Sequence, residues 1–257
     1  CLHRWSHLFP DFSVAIRNKL NQPQYGELLF QNVRIIGFLD CKMDETCRPG
    51  SGPMIDEELA DRWPDAYVLQ RAVYSGYLRR HGLKVLTVVW PNGMVGYLYG
   101  PVSGRENDIG ALNMSELNQH LMALQPEVTA AIARGDAVLY FALFGDAIFP
   151  FLQCITRRHQ PPLHGELPLR LQQEVRAMNS IRTSVEWSYG DVVNLFHIFH
   201  SKYSEKFFLN NRAVNPVLHA QFRVAFFLYN CYVCLNGSKV ASFFDQHPPS
   251  LAEYLHA

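Results

Sequence analysis

The sequence predicts an α/β domain, a mixed sheet flanked by helices, and three patterns carry the prediction. Two short apolar runs, Val33 to Leu39 and Ala137 to Phe144, lead into acids, Asp40 directly and Asp146 after one glycine. Between them, Pro91-Asn92-Gly93 separates two further runs, Leu83 to Val89 and Met94 to Tyr99. Asn-Gly in that position is the strongest short-range sign of a β-hairpin. Helical apolar spacing fills most of the chain after residue 108.

Taken in order, residues 5 to 20 have helical spacing on both sides of Pro10 and are expected to pack against the domain C-terminal to them. The first strand closes at Asp40, where CKMDETCRPGSGP reads as loop from its glycines and prolines. Residues 108 to 123 and 126 to 134 read as helices. The continuous apolar run 137 to 144, bounded by Gly135 and Gly145, suits a strand buried on both faces. After the proline-rich loop HQPPLHGELP, a helix is expected from Leu169 to about Phe199, with Asn179, Arg182 and Glu186 on one face. A last long helix spans roughly Asn215 to Leu235. The expected division is an N-terminal helical segment, 1–32, the remnant of a longer region, ahead of one domain, 33–257.

Composition narrows the function classes. At 257 residues and 48% hydrophobic content the chain can bury one substantial core. Lysine plus arginine equals aspartate plus glutamate, 23 each, so the whole molecule offers no bulk attraction to nucleic acid, and DNA binding must come from local patches. Six irregularly spaced cysteines point to a reducing compartment rather than a secreted disulfide framework. No apolar run approaches the roughly 18 residues that a membrane span needs.

Two acid-tipped strands and an acid on a later helix can converge on one spot, as in a ribonuclease H-like site. Cutting phosphodiesters at neutral pH requires charge neutralisation at both the attacking and the leaving oxygen, which two divalent ions supply. Such hard cations take oxygen ligands, hence several carboxylates. Asp40, Asp146 and Glu186 are the candidates. Asp44 competes with Asp40, and Asp136, in an earlier Gly-Asp pair, competes with Asp146.

The blocks GFLDCKMDETCRPG, QRAVYSGYLRRHGLKVLTVVWPNGM, YLYGPVSGRENDIGAL, LFGDAIFP and NSIRTSVEWSYGD occur in this order. In these blocks, from about Ile35 to the C-terminus, the sequence resembles the Harbinger family of DDE transposases. The resemblance implies a ribonuclease H-like fold with Asp40, Asp146 and Glu186 as catalytic, metal-binding triad, two Mg²⁺ or Mn²⁺ ions, and end cleavage and strand transfer on DNA. It also implies a nuclear location and a separate Myb-like partner for sequence recognition. The alternative is a non-catalytic derivative that keeps the fold as a DNA- or protein-binding scaffold, or a decayed transposon fragment.

Several other residues have two readings. Asp108 resembles a family position, yet a helix N-cap explains it equally. Arg182, four residues before Glu186, can pair with it. Arg71, Arg79, Arg80, His81 and Lys84, and the weaker set Arg157, Arg158 and His159, can grip phosphates or form solvated loops. Trp187 is expected to pack rather than stack on a base. Cys231 and Cys234 lack a second ligand pair for zinc and are expected in the core, and His197 and His200 are expected to pack.

Overall fold

The structure, a computed structural model, describes residues 2–20, 33–46, 48, 66–136, 140–157, 159, 165–199 and 216–256. Its strands are β1 (Val33–Glu45), β2 (Tyr74–Ser75), β3 (Arg80–Val89), β4 (Val95–Ser103), β5 (Tyr140–Gly145) and β6 (Ile155–Arg157). They form a mixed sheet in the order β4-β3-β1-β5-β6, with β2 pairing the first two residues of β3. β3 runs antiparallel to both β1 and β4, whereas β1, β5 and β6 are parallel. This is the ribonuclease H-like arrangement expected from the sequence.

β1 corrects one expectation. It does not close at Asp40 but continues to Glu45, because β3 offers it an antiparallel edge from Phe38↔Val89 to Glu45↔Gly82. The loop reading rests on the glycines and prolines of CKMDETCRPGSGP, all of which come after Glu45, so CKMDE itself is free to pair with β3. The hairpin is as predicted: the Trp90 N–H donates to Met94 O, and Gly93 takes φ +83° in the turn.

At the N-terminus, α1 (Leu2–Trp5) leads through a short 3-10 turn into α2 (Phe9–Leu20). Pro10 sits in the first turn of α2, where a missing N–H costs nothing. Phe9, Phe12, Ile16 and Leu20, at helical spacing, are buried in the same core as the sheet. Phe12 stacks on Trp90 at 5.7 Å between ring centroids, and Phe9 tilts against it at 5.5 Å. Two glycines make the slot for that indole. A Cβ on Gly37 would stand 2.5 Å from the Trp90 ring, and one on Gly96 would stand 1.6 Å from it.

After α3 (Ala66–Val73) and the hairpin come α4 (Asp108–Ser115), α5 (Leu117–Ala123) and α6 (Pro126–Ala133). The single helix expected over 108–123 is thus broken at Glu116, which takes φ +53°. Leu112 and Leu117 are five residues apart, off any single 3.6-residue face, and the break lets both be buried. The strand expected from Ala137 is described from Tyr140 onward; residues 137–139 lie outside the described residues.

The long helix α7 (Leu169–Leu195) ends in a 3-10 turn, His197–Phe199. Its buried face, Ala177, Met178, Ile181, Val185, Tyr189 and Val192, keeps three- and four-residue steps and packs against the sheet. α8 (Pro216–Asn236), α9 (Lys239–Phe244) and α10 (Leu251–His256) complete the fold. Asn230 of α8 hydrogen-bonds both the N–H and the carbonyl of Val95, tying this helix to β4. Among the described residues no helix is long and apolar enough to cross a membrane.

Candidate active site

β1 and β5 run in parallel register, and their last pair is Phe38↔Phe144. Asp40 and Asp146 each lie two residues beyond that pair. Asp40 continues along β1 opposite Thr87 of β3, Asp146 opens the turn after β5, and the charge of Asp146 reaches Asp40. The sequence around Asp146 holds it there. A Cβ on Gly145 would be 2.6 Å from the Phe149 ring, so only glycine lets that fully buried ring fold back beneath the turn. The Phe149 N–H donates to Asp146 O, and the Ala147 N–H donates to Asp146 Oδ1 at 2.6 Å.

Glu186 arrives from α7. Arg182, one turn earlier, donates to Asp40 Oδ2 at 3.3 Å and to Glu186 Oε1 at 3.4 Å, joining the two acids. The Asp40 and Arg182 side chains are 19% and 18% exposed, while Glu186 is 56% exposed, so the bridge runs from the sheet to open solvent. Tyr189, on the same helix face, donates to the Asp40 carbonyl at 3.1 Å and lies 2.6 Å from Thr87 Oγ1. A phenol has one proton to give, so Thr87 donates to Tyr189. This buried pair fixes α7 over β1 and β3.

Burial pushes the Asp40 carboxyl up to about 6, although Arg182 and the Cys41 N–H pull it down; the negative charges of Asp108 and Asp146 add to the rise. A half-dried carboxylate repelled by two others is suited to taking up further positive charge. The donor set is all oxygen, which fits Mg²⁺ or Mn²⁺. Among the described residues no three acidic, histidine or cysteine side chains lie close enough together to hold an ion. The guanidinium of Arg182 stands between Asp40 and Glu186. Asp40 and Asp146 are therefore brought together directly, and Glu186 joins them through Arg182.

Asp44 is buried and paired with Lys42 at 2.6 Å, and Asp136 is exposed and paired with Arg134. The N-cap of α4 is Asn107, whose side chain accepts from the Gly110 N–H. Asp108 is the first helical residue, and its carboxylate is 2.6 Å from Lys84 Nζ. Lys84 is only 13% exposed and also donates to Glu106 O, so its ammonium is already occupied. Arg80 pairs with Glu45, while Arg71 and Arg79 are exposed. Arg157 reaches Ala147 O and lies over the Phe151 ring; Arg158 lies outside the described residues. His159 is 3.6 Å from the Glu174 carboxylate.

Trp187 packs edge-on against Phe243 of α9, as the packing reading expects. Cys231 and Cys234 are half-buried free thiols on α8 rather than fully buried core residues. His197 lies in the 3-10 turn, and His200 lies outside the described residues. Sequence reasoning missed Tyr189, although its three-residue step from Glu186 places it on the Arg182 face. It also missed Arg48 and Arg105, which distant segments of the chain bring to one cavity.

A sequence-family model described as DDE superfamily endonuclease matches residues 60–230, more than half of the chain. The match includes Asp108, Asp146, Arg182 and Glu186; Asp40 precedes it. No curated protein and no solved structure matches.

Proposed function

Given that the chain belongs to the DDE superfamily endonucleases, we propose that it is the catalytic domain of a divalent-metal-dependent DNA nuclease of the Harbinger type, with Asp40, Asp146 and Glu186 as its triad. One observation carries this reading: Asp40 on β1 and Asp146 just past the end of the adjacent parallel strand β5 lie near enough for their charges to interact, and Glu186 is joined to Asp40 through Arg182. Two Mg²⁺ or Mn²⁺ ions bound there would polarise the attacking water or DNA 3′-hydroxyl and neutralise the leaving oxygen.

The chain's own residues do the rest. Asp146, braced by the Gly145–Phe149 turn, and Asp40, braced by Tyr189, present oxygens from the rigid sheet. Glu186, on the solvent side of α7, closes the site once Arg182 releases it. Exposed Arg71 and Arg79 are among the cations available to the DNA backbone. The zero net charge suits a protein that leaves sequence recognition to a Myb-like partner in the nucleus.

A second reading, a scaffold that keeps the fold without catalysis, is favoured by the position of Arg182 between two of the acids. Cleavage of supercoiled plasmid in Mg²⁺ and in Mn²⁺, beside Asp146→Asn and Glu186→Gln, separates the two. Metal-dependent nicking lost in both variants is the expected result. A folded wild type that neither cuts nor binds either ion by calorimetry leaves the scaffold reading.

A further inference from the structure

Beyond Glu45, where β1 leaves the sheet, a cavity of about 660 Å³ is lined by Arg48, Gln70, Arg71, Tyr74, His81 and Arg105. Three separate segments build it. Arg48 follows β1, and its Nε and Nη2 both donate to Gln70 Oε1 of α3, at 3.2 and 3.0 Å. Gln70 is buried and neutral, so it orients the guanidinium without cancelling its charge. Arg71 is the next residue on α3. Arg105 lies in the loop between β4 and α4, and its N–H donates to the Ala72 carbonyl at 3.1 Å. The Ser103 hydroxyl donates to the same carbonyl, so the loop is stapled to the last turn of α3. Tyr74 and His81, cross-strand partners on β2 and β3 with ring centroids 5.1 Å apart and planes tilted by 57°, line another side of the cavity.

The cations around the sheet differ sharply in how they are neutralised. Lys42, Arg80, Lys84 and Arg182 each have a carboxylate within ion-pair distance. Among the described residues, Arg48, Arg71 and Arg105 have none. Converging guanidinium groups repel one another, and a shared anion removes that repulsion. Burial and the positive charge of Arg48 also lower the proton affinity of His81.

We infer that this cavity is a phosphate-binding pocket that holds a backbone phosphodiester of DNA away from the bond being cut. The inference rests on the nuclease reading above for the identity of the polymer. Five residue steps along β1 lead from Asp40 to Glu45, roughly 17 Å, so the phosphate held here is not the scissile one. Arg105 lies only three residues before Asp108, whose charge reaches Asp40. One short loop thus links the pocket to the acids.

The test measures binding of a short duplex oligonucleotide by fluorescence anisotropy, in Ca²⁺ and across a salt series, in the Asp146→Asn background. Arg71→Gln combined with Arg105→Gln is expected to weaken binding about tenfold and to flatten the log–log salt slope by about 2. Arg134→Gln, on an exposed arginine already paired with Asp136, is the control and should change both far less. Equal affinity and slope in the double variant and the control overturn the pocket. Competition by inorganic phosphate that the double variant loses, with duplex binding unchanged, also overturns it, in favour of a free-phosphate site. Cleavage by the wild-type chain is scored separately: if it fails while the binding difference holds, only the nuclease reading falls.

Discussion

Along β3 the chain passes between two kinds of neighbourhood. From Val85 to Trp90 its side chains are almost wholly removed from water, and the run ends in an indole set between Gly37, Gly96, Phe9 and Phe12. From Arg80 to Lys84 the same strand carries charge, flanked by Glu45, Asp108 and the arginine pocket. The adjacent strand β1 divides in the same way, apolar to Leu39 and then polar from Asp40. The Trp90 end is close-packed, as stability requires. The Asp40 end holds like charges near one another, relieved only in part by Arg182, and this is the arrangement expected where a ligand is to supply the missing charge.

Variants can break or sharpen this contrast. Trp90→Ala should have the largest effect, a loss of about 3–5 kcal/mol in denaturant unfolding, since it empties a slot that Phe9 and Phe12 cannot fill without moving. Gly96→Ala should follow at about 1–3 kcal/mol, because the added methyl overlaps the indole. A Gly96→Ala protein as stable as wild type would show that the slot is loose.

At the other end, Asp40→Asn tests the charge directly. Asp40 takes up its proton at about 6 in the fold against 3.8 in an unfolded chain. The stability it contributes is therefore complete below pH 3.8 and lost as the pH rises through about 6. In EDTA the Asn variant should gain on wild type between pH 4 and 7, by on the order of 1–3 kcal/mol, the pull of Arg182 being already part of the value of about 6. Thermal melts across that range read the sign. A variant that falls behind wild type as the pH rises would mean that Arg182 outweighs burial.

Glu186→Gln should have the smallest effect on stability, within about 0.5 kcal/mol, because the side chain is more than half exposed. Its cleavage should nonetheless drop to background. The two ends of the sheet then separate: variants at Trp90 lose stability first, and variants at Glu186 lose activity alone.

How much was legible beforehand depended on whether the cause lay nearby in the chain. The Asn-Gly hairpin, the helical period of 169–195 and the Gly-Asp-x-x-Phe block carry their reasons within a few residues. The far half of β1 was not legible, because CKMDE becomes strand only when β3 pairs with it. The α4 cap went to Asn107 rather than Asp108 because the salt bridge to Lys84, 24 residues away, claims the aspartate. Arg182 could be read as a partner of Glu186 from their four-residue spacing, but its bond to Asp40 spans 142 residues.

The sequence by itself determined that the chain forms an α/β domain, that acids come after two apolar runs, and that a third acid rides a long helix, because periodicity and turn chemistry act locally. Only the tertiary structure decided that the charge of Asp146 reaches Asp40, that Arg182 lies between Asp40 and Glu186, and that Arg48, Arg71 and Arg105 share one cavity. Each depends on strand register or on segments meeting from far apart in the chain, and such long-range pairings leave no periodic mark in the residues that make them.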